Sequence, residues 1–83
     1  MTNASTVTYF GIQPFENAAR GRSKVLAPVV AQSANEALRR AERLAKERGG
    51  AIAFSRTGDP TFGEFDEPVI LGRFGDVPRD FEH

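Results

Sequence analysis

The sequence predicts an α+β domain of order β-β-α-β-β, in which a single amphipathic helix packs on one face of a roughly four-stranded, mainly antiparallel sheet. Three observations carry this expectation. Apolar residues recur at the spacing of one helical face in a single segment, "SANEALRRAERLAKERGG" at 33–50. The segments before and after it are rich in β-branched and aromatic residues, the side chains that suit a pleated, half-buried surface. The length, 83 residues, is that of one domain, and a chain of this size buries only about 60–65% of the surface that its unfolded form exposes.

Taken in order, "STVTYFGIQ" at 5–13 reads as the first strand, ended by Pro14. Residues 14–23, "PFENAARGRS", hold turn-forming residues and little apolar content and read as a flexible loop. "KVLAPVVA" at 24–31 reads as a second strand, and Pro28, which has no N–H to give a ladder, places it at an edge or a bulge. In the helix, Ala34, Ala37, Leu38, Ala41, Leu44 and Ala45 form the buried stripe, and Ser33 with Glu36 forms a capping box. Gly49 and Gly50 supply the stop. Glu36–Arg40 and Glu42–Lys46 stand at the spacing of favourable ion pairs.

"AIAFSR" at 51–56 alternates as a half-buried strand, and "PVILGRF" at 68–74 reads as the last one. The turn-rich "TGDP" and "FGEF" lie between them, and "GDVPRDFEH" reads as an extended tail. Residues 1–4 and 79–83 are expected to be disordered. One helix covers one face of such a sheet, yet its strands carry apolar side chains on both. The second face therefore needs a cover, either the tail through Val77 and Phe81 or a second copy of the chain.

Composition narrows the chemistry. Cysteine is absent, and the single histidine is the last residue, His83, so thiolate metal sites, disulfides and histidine-based catalysis are not expected. Net charge is zero but uneven: residues 1–32 and 33–49 are each +2, and residues 50–83 are −4. The longest apolar run, "VLAPVVA", is too short to span a bilayer, and the N-terminal residues do not have the pattern of a secretion signal, so a cytoplasmic location is expected.

Three groups of residues are candidates for function. The acidic hairpin 59–67, with Asp59, Glu64, Asp66 and Glu67, could offer oxygen ligands to a metal or an acid/base pair. Its spacing matches no calcium loop, and turn formation with solubility accounts for it better. Arg20, Arg22 and Lys24, with Tyr9, Phe10 and Phe15 as stacking platforms and Arg39, Arg40 and Arg43 from the helix, could form a nucleic-acid surface. The neutral net charge weighs against it. Phe62 and Phe65, aromatic side chains set among glycine and acidic residues, are candidate partner-binding residues.

The stretches "AFSRTGDP" and "GEFDEPVILGRFGDVP", within residues 51–79, resemble a group of short uncharacterised proteobacterial proteins. The resemblance implies a bacterial cytoplasmic setting and carries no activity, cofactor or catalytic residue with it. The expectation from sequence is a non-catalytic protein-interaction module that binds another protein or itself as a homodimer. A nucleic-acid-binding module ranks second, and a small enzyme or metal binder on the acidic hairpin third.

Overall fold

The computed structural model describes residues 6–17 and 23–78. Its elements are β1 (Val7–Asn17), β2 (Ser23–Val25), β3 (Val29–Ala31), α1 (Ala34–Arg48), β4 (Gly49–Asp59), β5 (Glu64–Phe65) and β6 (Val69–Gly75). All pairings are antiparallel. β1 and β4 form the centre, with β2 and β3 together flanking β1 and β5 and β6 together flanking β4. Each outer strand is thus one strand broken in two, at Pro28 and at Pro68. The arrangement is the expected α+β fold, four strands wide with one helix.

The first strand runs further than expected. β1 continues through Pro14 to Asn17, so residues 14–17 are strand and not loop. Proline is tolerated here because the Pro14 carbonyl accepts from Leu26 N–H at 3.1 Å, which aims the backbone polar groups of Pro14 toward the flanking strand where it is broken. The missing N–H therefore costs no ladder bond. Gln13 closes the gap, donating its side-chain amide to the carbonyls of Pro14 (3.0 Å) and Leu26 (2.7 Å). Arg20 and Arg22 of the expected loop, and the termini expected to be disordered (1–4, 79–83), lie outside the described residues.

The helix begins and ends where the sequence places it. Ser33 Oγ accepts from Glu36 N–H at 3.1 Å, while the Glu36 carboxylate accepts from Gln32 N–H at 2.7 Å, one residue upstream of the usual capping-box partner. Gly49, with φ 140°, donates its N–H to the Ala45 carbonyl and stops the helix. Of the two expected ion pairs, Glu36–Arg40 forms at 3.9 Å. Glu42–Lys46 does not; the other ion pair among the described residues is Arg48–Glu16 at 3.4 Å, which ties the helix end to β1.

The core beneath the helix is built from small residues. Ala37 and Ala41 meet Ala31, Ala51, Ala53 and Ile12, all buried, with Phe10, Val29, Leu38, Leu44, Leu71 and Phe74 filling the margins. Gly72 lets the helix approach, since a Cβ there would lie 2.8 Å from a methyl of Leu38. The register pairs Phe10 with Ser55, Ile12 with Ala53 and Pro14 with Ala51, so these residues share the helix side. Their strand neighbours Tyr9, Gly11, Gln13, Phe15, Ile52, Phe54 and Arg56 share the other side, here called the far face.

Candidate functional site

The far face is apolar and partly covered from within. Phe15 and Ile52 are fully or nearly buried, yet both face away from the helix. Part of the cover is visible in the chain path. At Gly75 (φ +68°) the chain turns out of β6, Asp76 N–H donates to the Gly49 carbonyl at 2.9 Å, and the Asp76 backbone passes directly over Gly50, the register partner of Phe15. A side chain at position 50 would collide with that backbone, so glycine there is a condition for the crossing. Val77 and Pro78 follow, both half-buried.

Beyond this end the described residues leave the far face open. The Phe54 ring lies across Gly11 on the adjacent strand, where a Cβ would come within 2.8 Å of the ring. Phe65 lies across Gly58 in the same way, so each aromatic covers a glycine backbone. Tyr9 packs against Phe65 with ring centroids 5.9 Å apart and a 45° tilt. The Arg56 guanidinium sits 5.5 Å from the Phe65 centroid and donates from Nε to the Asp66 carbonyl at 3.2 Å. An exposed cation over a ring adds roughly 0.5–1 kcal/mol. The result is a fixed Tyr9–Phe65–Arg56 cluster with Tyr9 still 47% exposed.

Next to this cluster is a concavity of about 220 Å³ lined by Gln13, Ile52, Phe54, Arg56, Pro68 and Ile70. Its walls are almost wholly apolar, with Arg56 and Gln13 as polar members. Val30, paired with Gly11, borders the same face and is 77% exposed.

The two phenylalanines of the turn region have different fates. Phe65 is half-buried on the far face, against Tyr9 and Arg56. Phe62 sits in the turn 60–63 and is 74% exposed. Gly63 beside it has φ +69° and open space where a side chain would stand. Sequence spacing treats the two phenylalanines alike; the pairing of Gly58 with Phe65 separates them.

The acidic residues divide as well. Asp59 is buried and accepts from Thr61 N–H at 2.8 Å, the turn-forming role of an aspartate. Glu64, Asp66 and Glu67 are exposed. Among the described residues no three acidic or histidine side chains gather as a metal-binding group.

The described basic candidates lie in two places. Arg39, Arg40 and Arg43 border an open groove with Glu36 on the outer side of the helix, and Arg40 is held by the Val30 carbonyl at 3.1 Å. Lys24 pairs in register with Glu16, a helix-side residue. Of the three stacking candidates, Phe15 is fully buried and Phe10 is part of the helix-side core, which leaves Tyr9, on the opposite face from the helix arginines. Among the described residues the aromatic and basic candidates thus do not come together; Arg20 and Arg22 lie outside the described residues. Sequence reasoning overlooked Gln13, Arg56, Pro68 and Ile70; the legible signal was the alternation Ile52, Phe54, Arg56, which places an arginine in line with two large apolar residues.

Fold and site together define a small antiparallel sheet with a helix on one side and an aromatic face on the other. Compared with known proteins, the chain matches no family model, no curated protein and no solved structure. No helix among the described residues is long and apolar enough to cross a membrane.

Proposed function

We propose that the chain is a non-catalytic module of the bacterial cytoplasm that acts by binding another protein chain through its far face. The observation that carries this reading is the apolar set around the concavity, with Tyr9 and Val30 exposed and Phe54, Phe65 and Ile70 half-buried, and with the Arg56 guanidinium at its rim. Tyrosine, phenylalanine and arginine are the residues enriched at protein interfaces. The concavity, about 220 Å³, is smaller than the roughly 300 Å³ at which metabolite pockets begin, and it suits one side chain of a partner.

Site-specific photo-crosslinking tests the reading. A benzophenone side chain at position 30, on the far face, is expected to join a protein in bacterial extract, and Ile70→Glu in the same chain is expected to abolish that adduct. The same group at position 39, on the helix, is expected to give none. Equal adducts from both positions, or adducts indifferent to Ile70→Glu, would refute it.

A further inference from the structure

The geometry points to a second copy of this chain as an occupant of the far face, with Phe62 of each molecule seated in the concavity of the other. This rests on the reading of the far face as a protein-binding surface and names the partner.

The molecule carries both halves of such a contact. Phe62 is a large aromatic side chain, 74% exposed at the tip of a turn. The concavity measures about 220 Å³ and is walled by Ile52, Phe54, Pro68 and Ile70. A cavity of about 150 Å³ already takes a benzene ring, so this one holds a single phenylalanine ring and little more. Charge agrees with shape. Phe62 is displayed beside the exposed carboxylates of Glu64, Asp66 and Glu67, and the concavity has the Arg56 guanidinium at its edge. An acidic hairpin entering a cationic rim is the favourable sense.

Phe62 cannot fill the concavity of its own molecule. The concavity is centred on the Phe54–Ile70 pair, and the strand from Phe54 to Asp59 leads away from it by roughly 17 Å at about 3.4 Å per residue. A two-fold axis near the Tyr9–Phe65–Arg56 cluster, midway between tip and concavity, satisfies both contacts at once and sets Arg56 of each copy near the acidic hairpin of the other. Such an interface is isologous and closes at two chains. Edge-to-edge pairing is the competing route for a sheet protein, and the breaks at Pro28 and Pro68 shorten both edges against it.

The overlap spans roughly 20 Å along strands that lie about 4.8 Å apart, or about 400 Å² of flat surface per copy. That puts the pair in the weak class of interfaces, below about 1,200 Å² in total, with a dissociation constant on the order of 10–500 μM.

Sedimentation velocity of the full chain from 5 μM to 2 mM tests the inference. The mass is expected to rise from 9.1 kDa to twice that value and no further. Phe62→Ser removes an exposed side chain and leaves the fold intact, and it is expected to weaken the dimer at least about 30-fold, as loss of a central anchor does. Ile70→Glu blocks the concavity and is expected to do the same. Mixing the two variants restores one knob and one hole, so a one-to-one pair of intermediate affinity is expected, which neither variant forms alone. A chain that stays single at 2 mM, a Phe62→Ser dimer as tight as the wild type, growth beyond two chains, or association that requires added oligonucleotide overturns the inference. If the chain is single while the photo-reactive group at position 30 still captures a different protein, the self-pairing falls and the far-face reading survives. If both experiments fail, both fall.

Discussion

The two faces of the sheet are made by opposite means. On the helix side, alanine meets alanine: Ala37 and Ala41 against Ala51 and Ala53, with Gly72 giving further room. On the far face, large side chains lie across bare backbone, Phe54 over Gly11 and Phe65 over Gly58. Close approach of a helix needs small residues on both partners, whereas a face that no helix covers must thicken itself with rings. One side is therefore intolerant of added volume and the other of lost volume.

Phe15→Ala should break that contrast most severely. The side chain is fully buried on the far face, and a Phe-to-Ala change in a core costs about 3–5 kcal/mol. The total stability expected of a domain this size is only about 4–12 kcal/mol. Urea denaturation should show the midpoint collapse, and a loss under 1 kcal/mol would mean that the far face contributes no core of its own. On the helix side, Ala41→Leu should cost about 1–3 kcal/mol by overpacking, read from the same titration. The equivalent loss from Ala41→Gly alone, without any from leucine, would contradict close packing there.

A smaller effect is expected at the strand break. Gln13→Leu removes both amide bonds to the carbonyls of Pro14 and Leu26 and should cost about 1–2 kcal/mol. Amide exchange should quicken at Leu26 before it does at β4. Smallest of all, Phe62→Ser should change stability by no more than about 0.5 kcal/mol in dilute solution, where the chain is single. A larger loss would show the Phe62 ring to be packed within its own molecule.

Much of the fold was legible because the sequence is locally consistent. The helix has its cap, stripe and stop in view, and Ser33, Ala37, Ala41 and Gly49 perform those roles. Pro28 correctly marked an outer strand. Pro14 was misleading, because its effect depends on which neighbour its nitrogen faces, and that is a property of the sheet and not of the residue. The alternation in β4 was visible, but nothing local decides that the alanines turn to the helix while Ile52 and Phe54 turn away.

The site was less legible than the fold. Phe62 and Phe65 stood out by type, yet only the pairing of Gly58 with Phe65 assigns one to the sheet and the other to the tip. Gln13, Arg56 and Ile70 belong to three different strands and converge only through register. Such convergence is non-local, and no spacing rule within one segment can reveal it.

The central pairing of β1 with β4 also sets the pace at which the molecule forms. Partners from Glu16–Gly49 to Val7–Gly58 are 33 to 51 positions apart, whereas the outer strands join their neighbours through short connections. The entropy of closing a loop grows with its length, and domains dominated by distant pairings fold in milliseconds to seconds. The helix lies within that loop and shortens it as it forms, so helix and outer hairpins are available early while the middle of the sheet waits for the long closure. Mutations that loosen the helix, Ser33→Ala among them, should therefore slow refolding in stopped-flow more than they speed unfolding, and the opposite partition would place the β1–β4 encounter ahead of the helix.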